Sequence, residues 1–109
     1  MPLTATDVDG RRLCDAAGQT VGHVTAFYRY PADLDAPWGV VAVTSGSLLR
    51  STRLVDLFDA RIAGDAVITV YPLETIRSAP SYRATAGDTL RIDHATRVLT
   101  HYRGVPQLV

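Results

Sequence analysis

Lysine and asparagine are absent from this chain, and cysteine, methionine, tryptophan and glutamate occur once each. A lone cysteine, Cys14, excludes an internal disulfide, so burial and hydrogen bonding must hold the fold together. No apolar run reaches the roughly 20 residues that span a bilayer, so no transmembrane segment is expected. The opening Met1-Pro2-Leu3-Thr4 has no basic and no apolar stretch, so no secretory signal is expected either. Neither sign of charge is in excess, since eleven arginines balance eleven acids. Phosphate contacts dominate the affinity of nucleic-acid binders, and a chain without a basic excess is a poor match to that class. Together these absences lead to the expectation of a cytoplasmic protein.

What is present suits a single folded domain. Of the 109 residues, 47% are hydrophobic and 20% charged, and a chain of this size buries about 65% of its unfolded surface. Short turn signals recur: Asp15-Ala16-Ala17-Gly18, the longer Pro31–Pro37 loop, Ser45-Gly46-Ser47 and Ala63-Gly64-Asp65. They separate β-branched and aromatic segments, which is the pattern of a small all-β sandwich or barrel. Strands are expected at Arg11–Asp15, Gln19–Tyr30, Trp38–Thr44 and Ala66–Tyr71. The near-continuous apolar run from Trp38 to Thr44 suggests a strand buried on both faces. Leu48–Leu57 reads equally as strand or helix.

Val21, Val24 and Phe27 recur every third residue, which breaks strand parity. Gly22 and the β-branched Thr20, Val21 and Thr25 speak against a helix. A β-bulge near Gly22 would bring all three side chains to one face and bend the strand. Further on, Pro72–Arg77 has the composition of one helical turn, stopped before Pro80. Asp88 stands where an N-cap would start a helix, expected to run from Asp88 or Thr89 to Tyr102, with a stripe of Leu90, His94, Val98 and Tyr102 and with Leu99 beside it. Gly104 and Pro106 then follow in the usual stop order.

The order and spacing of these motifs resemble the PRC-barrel family. Asp15-x-x-Gly18-x-x-Val21-Gly22-x-Val24 is similar to the family's opening hairpin, and Trp38–Val43 to its central apolar strand. Thr52–Leu57 is similar to the stretch that usually carries a Val-Pro pair, with Asp56 at the proline position. Val70-Tyr71-Pro72 and Glu74–Pro80 resemble the closing strand, turn and Ala-Pro end. The resemblance spans about residues 8–80, and the final helix resembles a tail found on many bacterial members. It implies a small, strongly bent barrel of about five to six strands over residues 1–80. Residues 81–109 would then form a loop, a C-terminal amphipathic helix and a tail packing on the barrel or a partner. The family includes the barrel domains of the photosynthetic reaction-centre H subunit and a ribosome maturation factor, and it is known for protein–protein assembly rather than catalysis.

The chemistry-bearing residues point the same way. His94 and His101 lie seven apart, about 10 Å along a helix, too far to share one metal ion. Cys14 has acidic Asp15 beside it rather than an activating base, and reads as a small buried hydrophobe. Asp7-Val8-Asp9-Gly10 lacks the remaining ligands of a calcium loop and reads as a turn. Neither a phosphate-binding glycine loop nor a nucleophile elbow is present. No catalytic residue, cofactor or metal is therefore expected.

Aromatics and arginine at interface spacing are the informative feature, because Tyr, Trp and Arg dominate interface hot spots. With Phe27 inward, Tyr28 and Tyr30 should lean outward beside Arg29. The expected partner surface is Tyr28, Arg29, Tyr30 and Trp38, joined by Val98 and Tyr102 of the helix. The reading is a non-catalytic interaction or assembly module that binds an unidentified protein partner and self-associates, a dimer being favoured. The alternative is an RNA- or ribosome-associated factor, which needs several of Arg11, Arg12, Arg50, Arg53 and Arg61 on one face. A small-ligand carrier ranks below both, because a barrel of so few strands fills with side chains.

Overall fold

The computed structural model describes residues 3–44, 51–80 and 87–103. Within them the order is α1 (Ala5–Val8), β1 (Arg12–Cys14), β2 (Thr20–Tyr28), β3 (Val40–Thr44), β4 (Arg53–Asp56), β5 (Arg61–Ala63), β6 (Ala66–Ile68), α2 (Leu73–Arg77) and α3 (Ile92–Arg103). The strands form one six-stranded sheet in the order β4-β3-β2-β1-β6-β5. All neighbours are antiparallel except β1 and β6, which run parallel. The expected all-β class with a C-terminal helix is therefore what the chain adopts, with two further short helices. Among the described residues β4 and β5 do not pair, so the sheet is not closed.

The sheet is nevertheless strongly curled. Strands β4 and β5 are its two opposite edges, yet only residues 57–60 separate them. Five strand spacings of about 4.8 Å would hold the edges of a flat sheet about 24 Å apart. The five residue steps from Asp56 to Arg61 reach at most about 18 Å. The concave face accordingly gathers side chains from both sides of the sheet: Val55 and Leu57 share one core with Leu13, Val21, Val24, Val41, Val43 and Val67.

Two bulges produce the bend. In the β1–β2 ladder Leu13 faces Gly22 while Cys14 faces Thr20, leaving Val21 as the extra residue. In the β2–β3 ladder Val24 faces Val43 while Ala26 faces Ala42, leaving Thr25 extra. The bulge anticipated near Gly22 is thus present, and a second one at Thr25 completes the triplet: Val21, Val24 and Phe27 all pack into the concave core. Gly22 is required by close approach, since a Cβ there would run into the Thr44 carbonyl.

Residues Val40–Val43 of β3 are fully buried on both faces, as their composition suggested. The second face carries its own core of Tyr28, Tyr30, Leu34, Ala36, Val40, Ala42 and Leu54, covered by Leu90, Ala95, Val98 and Leu99. Helix α3 lies on β4, fixed by a 2.7 Å hydrogen bond from the Tyr102 hydroxyl to the Leu54 carbonyl. The His101 ring meets the Thr75 carbonyl at 2.6 Å, which ties α3 to the α2 end of the fold.

Several expectations change. The helix starts at Ile92, not at Asp88 or Thr89. The backbone of Asp88–Leu90 is committed to β2's extension instead: Arg29 N–H donates to the Asp88 carbonyl, and Leu90 N–H to the Arg29 carbonyl. Leu90 is buried but lies outside the helix. Asp7–Gly10 is not a plain turn, because α1 occupies Ala5–Val8 behind a Thr4 and Asp7 capping box. Leu48–Leu57 resolves as strand over Arg53–Asp56. Ser45-Gly46-Ser47, Leu48 to Arg50 and the tail after Arg103 lie outside the described residues.

Candidate functional site

The site grows from one buried carboxylate. Asp56 ends β4 and is wholly buried. Its Oδ2 accepts from the Tyr30 hydroxyl and from the Trp38 indole Nε1, both at 2.7 Å. Its Oδ1 accepts from the Tyr71 hydroxyl at 2.7 Å and from the Phe58 backbone N–H at 2.8 Å. Four donors fill the acceptor capacity of a carboxylate. Tyr30 belongs to the core under α3, Tyr71 belongs to the concave core, and Trp38 packs on both. Asp56 therefore stands where the two cores meet and joins them by hydrogen bonds.

Burial raises the hydroxyl pKa of Tyr30 and Tyr71 far above the usual tyrosine range, and the charge of and hydrogen bond to Asp56 add to that. Tyr102 moves the same way, chiefly through burial and then through the nearby Asp56 charge. All three hydroxyls stay protonated, as donors to Asp56 and to Leu54 must.

Above this base sits an aromatic and cationic platform. The Trp38 and Phe58 rings meet edge to face with centroids 4.9 Å apart. The Arg103 guanidinium lies 3.5 Å from the Phe58 ring centroid and 5.7 Å from that of Trp38. Tyr102 closes the inner side against Tyr71, with centroids 4.6 Å apart. Trp38 and Phe58 are half-buried and Arg103 is exposed. The Trp38 ring is oriented by its bond to Asp56, and the turn beneath it needs Gly39: φ is +79°, and a Cβ would lie 2.6 Å from the Phe27 ring.

The sequence-derived surface is rearranged. Tyr28 and Tyr30, expected to lean outward, are 5% and 7% exposed. The face opposite Phe27 is not solvent but the core under α3, so pointing away from Phe27 means pointing beneath the helix. Val98 is fully buried for the same reason. Tyr102 is half-buried, and Arg29 is exposed beside a groove of about 480 Å³ that Phe27, Pro37 and Asp88 also line. Trp38 and Tyr30 do come together, on Asp56. Asp56, Phe58, Tyr71 and Arg103 were missed as site residues. An acid in the otherwise apolar run Leu54-Val55-Asp56-Leu57 was the available signal, because a buried acid needs donors.

Cys14 is buried, its sulfur 3.9 Å from the Thr20 hydroxyl. Among the described residues no group of three or more His, Cys, Asp or Glu is placed to hold a metal ion. No helix among them is long and apolar enough to cross a membrane. Compared with known proteins, the chain matches no family model, and no curated protein matches it.

Proposed function

We propose that this chain is a non-catalytic protein–protein interaction module of the PRC-barrel type, an assembly adaptor that associates with itself. The curled sheet, with its edges drawn together by residues 57–60, supports the barrel reading. The observation that carries the function is the platform of Trp38, Phe58 and Arg103. Two half-buried rings and a stacked cation stand on a base immobilised by Asp56. Rigid aromatics, and an arginine already stacked on one of them, lose little freedom on binding, which makes them suitable interface anchors. Of the residues first assigned to the surface, Trp38 and Tyr102 belong to this platform or its wall, and Arg29 stays accessible.

The RNA reading draws less support from the arginines. Arg12 is paired with Asp65 at 2.7 Å. Arg11 is held on the Asp7 and Gly64 carbonyls. Arg53 reaches the Ala79 carbonyl from the far edge of the sheet. Arg61 lies on the opposite edge strand, and Arg50 is outside the described residues.

The test is affinity capture from host lysate with the intact chain and a Phe58→Ala variant, each split between ribonuclease-treated and untreated samples. Phe58→Ala keeps the backbone N–H that serves Asp56. Protein partners, including the chain itself, that survive ribonuclease and are lost with Phe58→Ala support the module reading. Ribosomal proteins that vanish with ribonuclease transfer the reading to RNA.

A further inference from the structure

The platform carries an exposed cation. All eleven acidic residues of the chain lie within the described residues. The ion pairs among those residues are Arg12 with Asp65 and Arg91 with Asp93. No carboxylate among the described residues therefore pairs with Arg103, although it is exposed and pinned over Phe58. The adjoining loop has the opposite deficit. Asp33 and Asp35 are exposed, and their carboxylates take no hydrogen bond or ion pair among the described residues. Asp35 is three residues from Trp38, at most about 11 Å of chain. Leu34 and Ala36, which alternate with the two acids, are anchored in the core that Val98 and Leu99 of α3 share. The loop thus adjoins Trp38, whose ring centroid lies 5.7 Å from the Arg103 guanidinium.

We infer that this end of the molecule binds a second copy of the chain about a two-fold axis, with Arg103 of each copy set against Asp33 and Asp35 of the other across the Trp38 and Phe58 rings. A patch that carries both signs beside one aromatic centre is self-complementary, which is what an isologous interface requires. The zero net charge of the chain leaves no long-range repulsion between copies. Desolvation against the rings strengthens a charge pair that would contribute little in open water. The inference rests on the self-association reading and names its surface.

A charge-swap experiment by sedimentation equilibrium tests it. Arg103→Glu sets Glu against Asp33 and Asp35 in a homodimer. The double variant Asp33→Arg with Asp35→Arg sets Arg against Arg103. Each alone should weaken dimerisation at least about tenfold. Mixed in equal amounts they should form a heterodimer again, because both symmetry-related contacts are then of opposite sign. Raising salt from about 0.05 M to about 0.5 M should weaken the native dimer. Circular dichroism confirms that each variant is folded, and the loop variant guards against a fold defect at the helix end. A native dimer indifferent to both changes, or variants that weaken but do not recover on mixing, overturns the inference and leaves self-association standing. A native chain that stays monomeric overturns both.

Discussion

The Trp38 indole donates a 2.7 Å hydrogen bond to Oδ2 of Asp56, so a half-exposed ring is tied directly to a fully buried carboxylate at the end of an edge strand. Surface rings are often free to turn. Here the same carboxylate also holds Tyr30, Tyr71 and the Phe58 backbone. The orientation of the platform is thus set by the bond that joins the two cores.

Replacing Asp56 should be among the costliest changes in the chain. Each oxygen faces one rotatable hydroxyl and one fixed N–H donor: Tyr30 with Trp38 Nε1, and Tyr71 with Phe58 N. Asn at this position must turn its NH₂ toward one of the fixed donors, whichever way the amide is placed. Asp56→Asn should cost about 2–3 kcal/mol, and Asp56→Ala about 3–5 kcal/mol, through orphaned buried donors. Urea unfolding measures both, and an Asp56→Asn protein as stable as the native one would show that the four bonds are not a working network.

Alkaline pH should unfold the protein by way of its tyrosines. The folded state raises the pKa of Tyr30, Tyr71 and Tyr102. Below the unfolded value of about 10 both states hold the proton, and the stability is fully present. Above it the unfolded chain ionises first, so stability falls by about 1.4 kcal/mol per pH unit for each tyrosine kept protonated. Tyrosinate absorbance should rise for these residues only together with loss of the folded circular dichroism signal. Free ionisation of all five tyrosines near pH 10 in a folded protein would contradict the burial.

Two glycines should resist substitution for different reasons. Gly39→Ala puts an L side chain at φ +79° and its Cβ against the Phe27 ring. Gly22→Ala drives the Cβ into the Thr44 backbone at the bulge. Each should lower stability by about 2 kcal/mol or more. Gly39→Ala should also change the tryptophan fluorescence, since Trp38 is its neighbour, whereas Gly22→Ala should leave the emission maximum in place.

Helix α3 should dock through Tyr102. Tyr102→Phe removes the bond to the Leu54 carbonyl while keeping the ring on Tyr71. The expected cost is about 1 kcal/mol. Hydrogen exchange should quicken in α3 before it does in β2 and β3, and uniform protection across both would argue against a separately docked helix.

The local fold was largely legible because short-range chemistry writes it. The every-third spacing of Val21, Val24 and Phe27 betrayed a bulge, and the apolar run of β3 betrayed two buried faces. The capping box of Thr4 and Asp7 was equally local, but the calcium-like Asp-x-Asp-Gly pattern drew attention from it. What stayed hidden depends on tertiary placement. Tyr28 and Tyr30 alternate correctly away from Phe27, yet alternation does not say whether the second face meets water or α3. Asp88 has the residue type of an N-cap, but strand-like pairing with Arg29 takes its backbone first. Asp56 was noticed only as a departure at a proline position, since its four donors come from residues 30, 38, 58 and 71. Arg103 stands just before the Gly104 and Pro106 stop, and nothing local announces its contact with a ring 45 residues earlier.

The most direct test of the account is sedimentation equilibrium of the intact chain beside Phe58→Ala over a wide concentration range. The account predicts a reversible dimer that Phe58→Ala dissociates while its circular dichroism and Trp38-to-Asp56 anchoring persist. A chain that is monomeric throughout, or a dimer that Phe58→Ala leaves untouched, would contradict it.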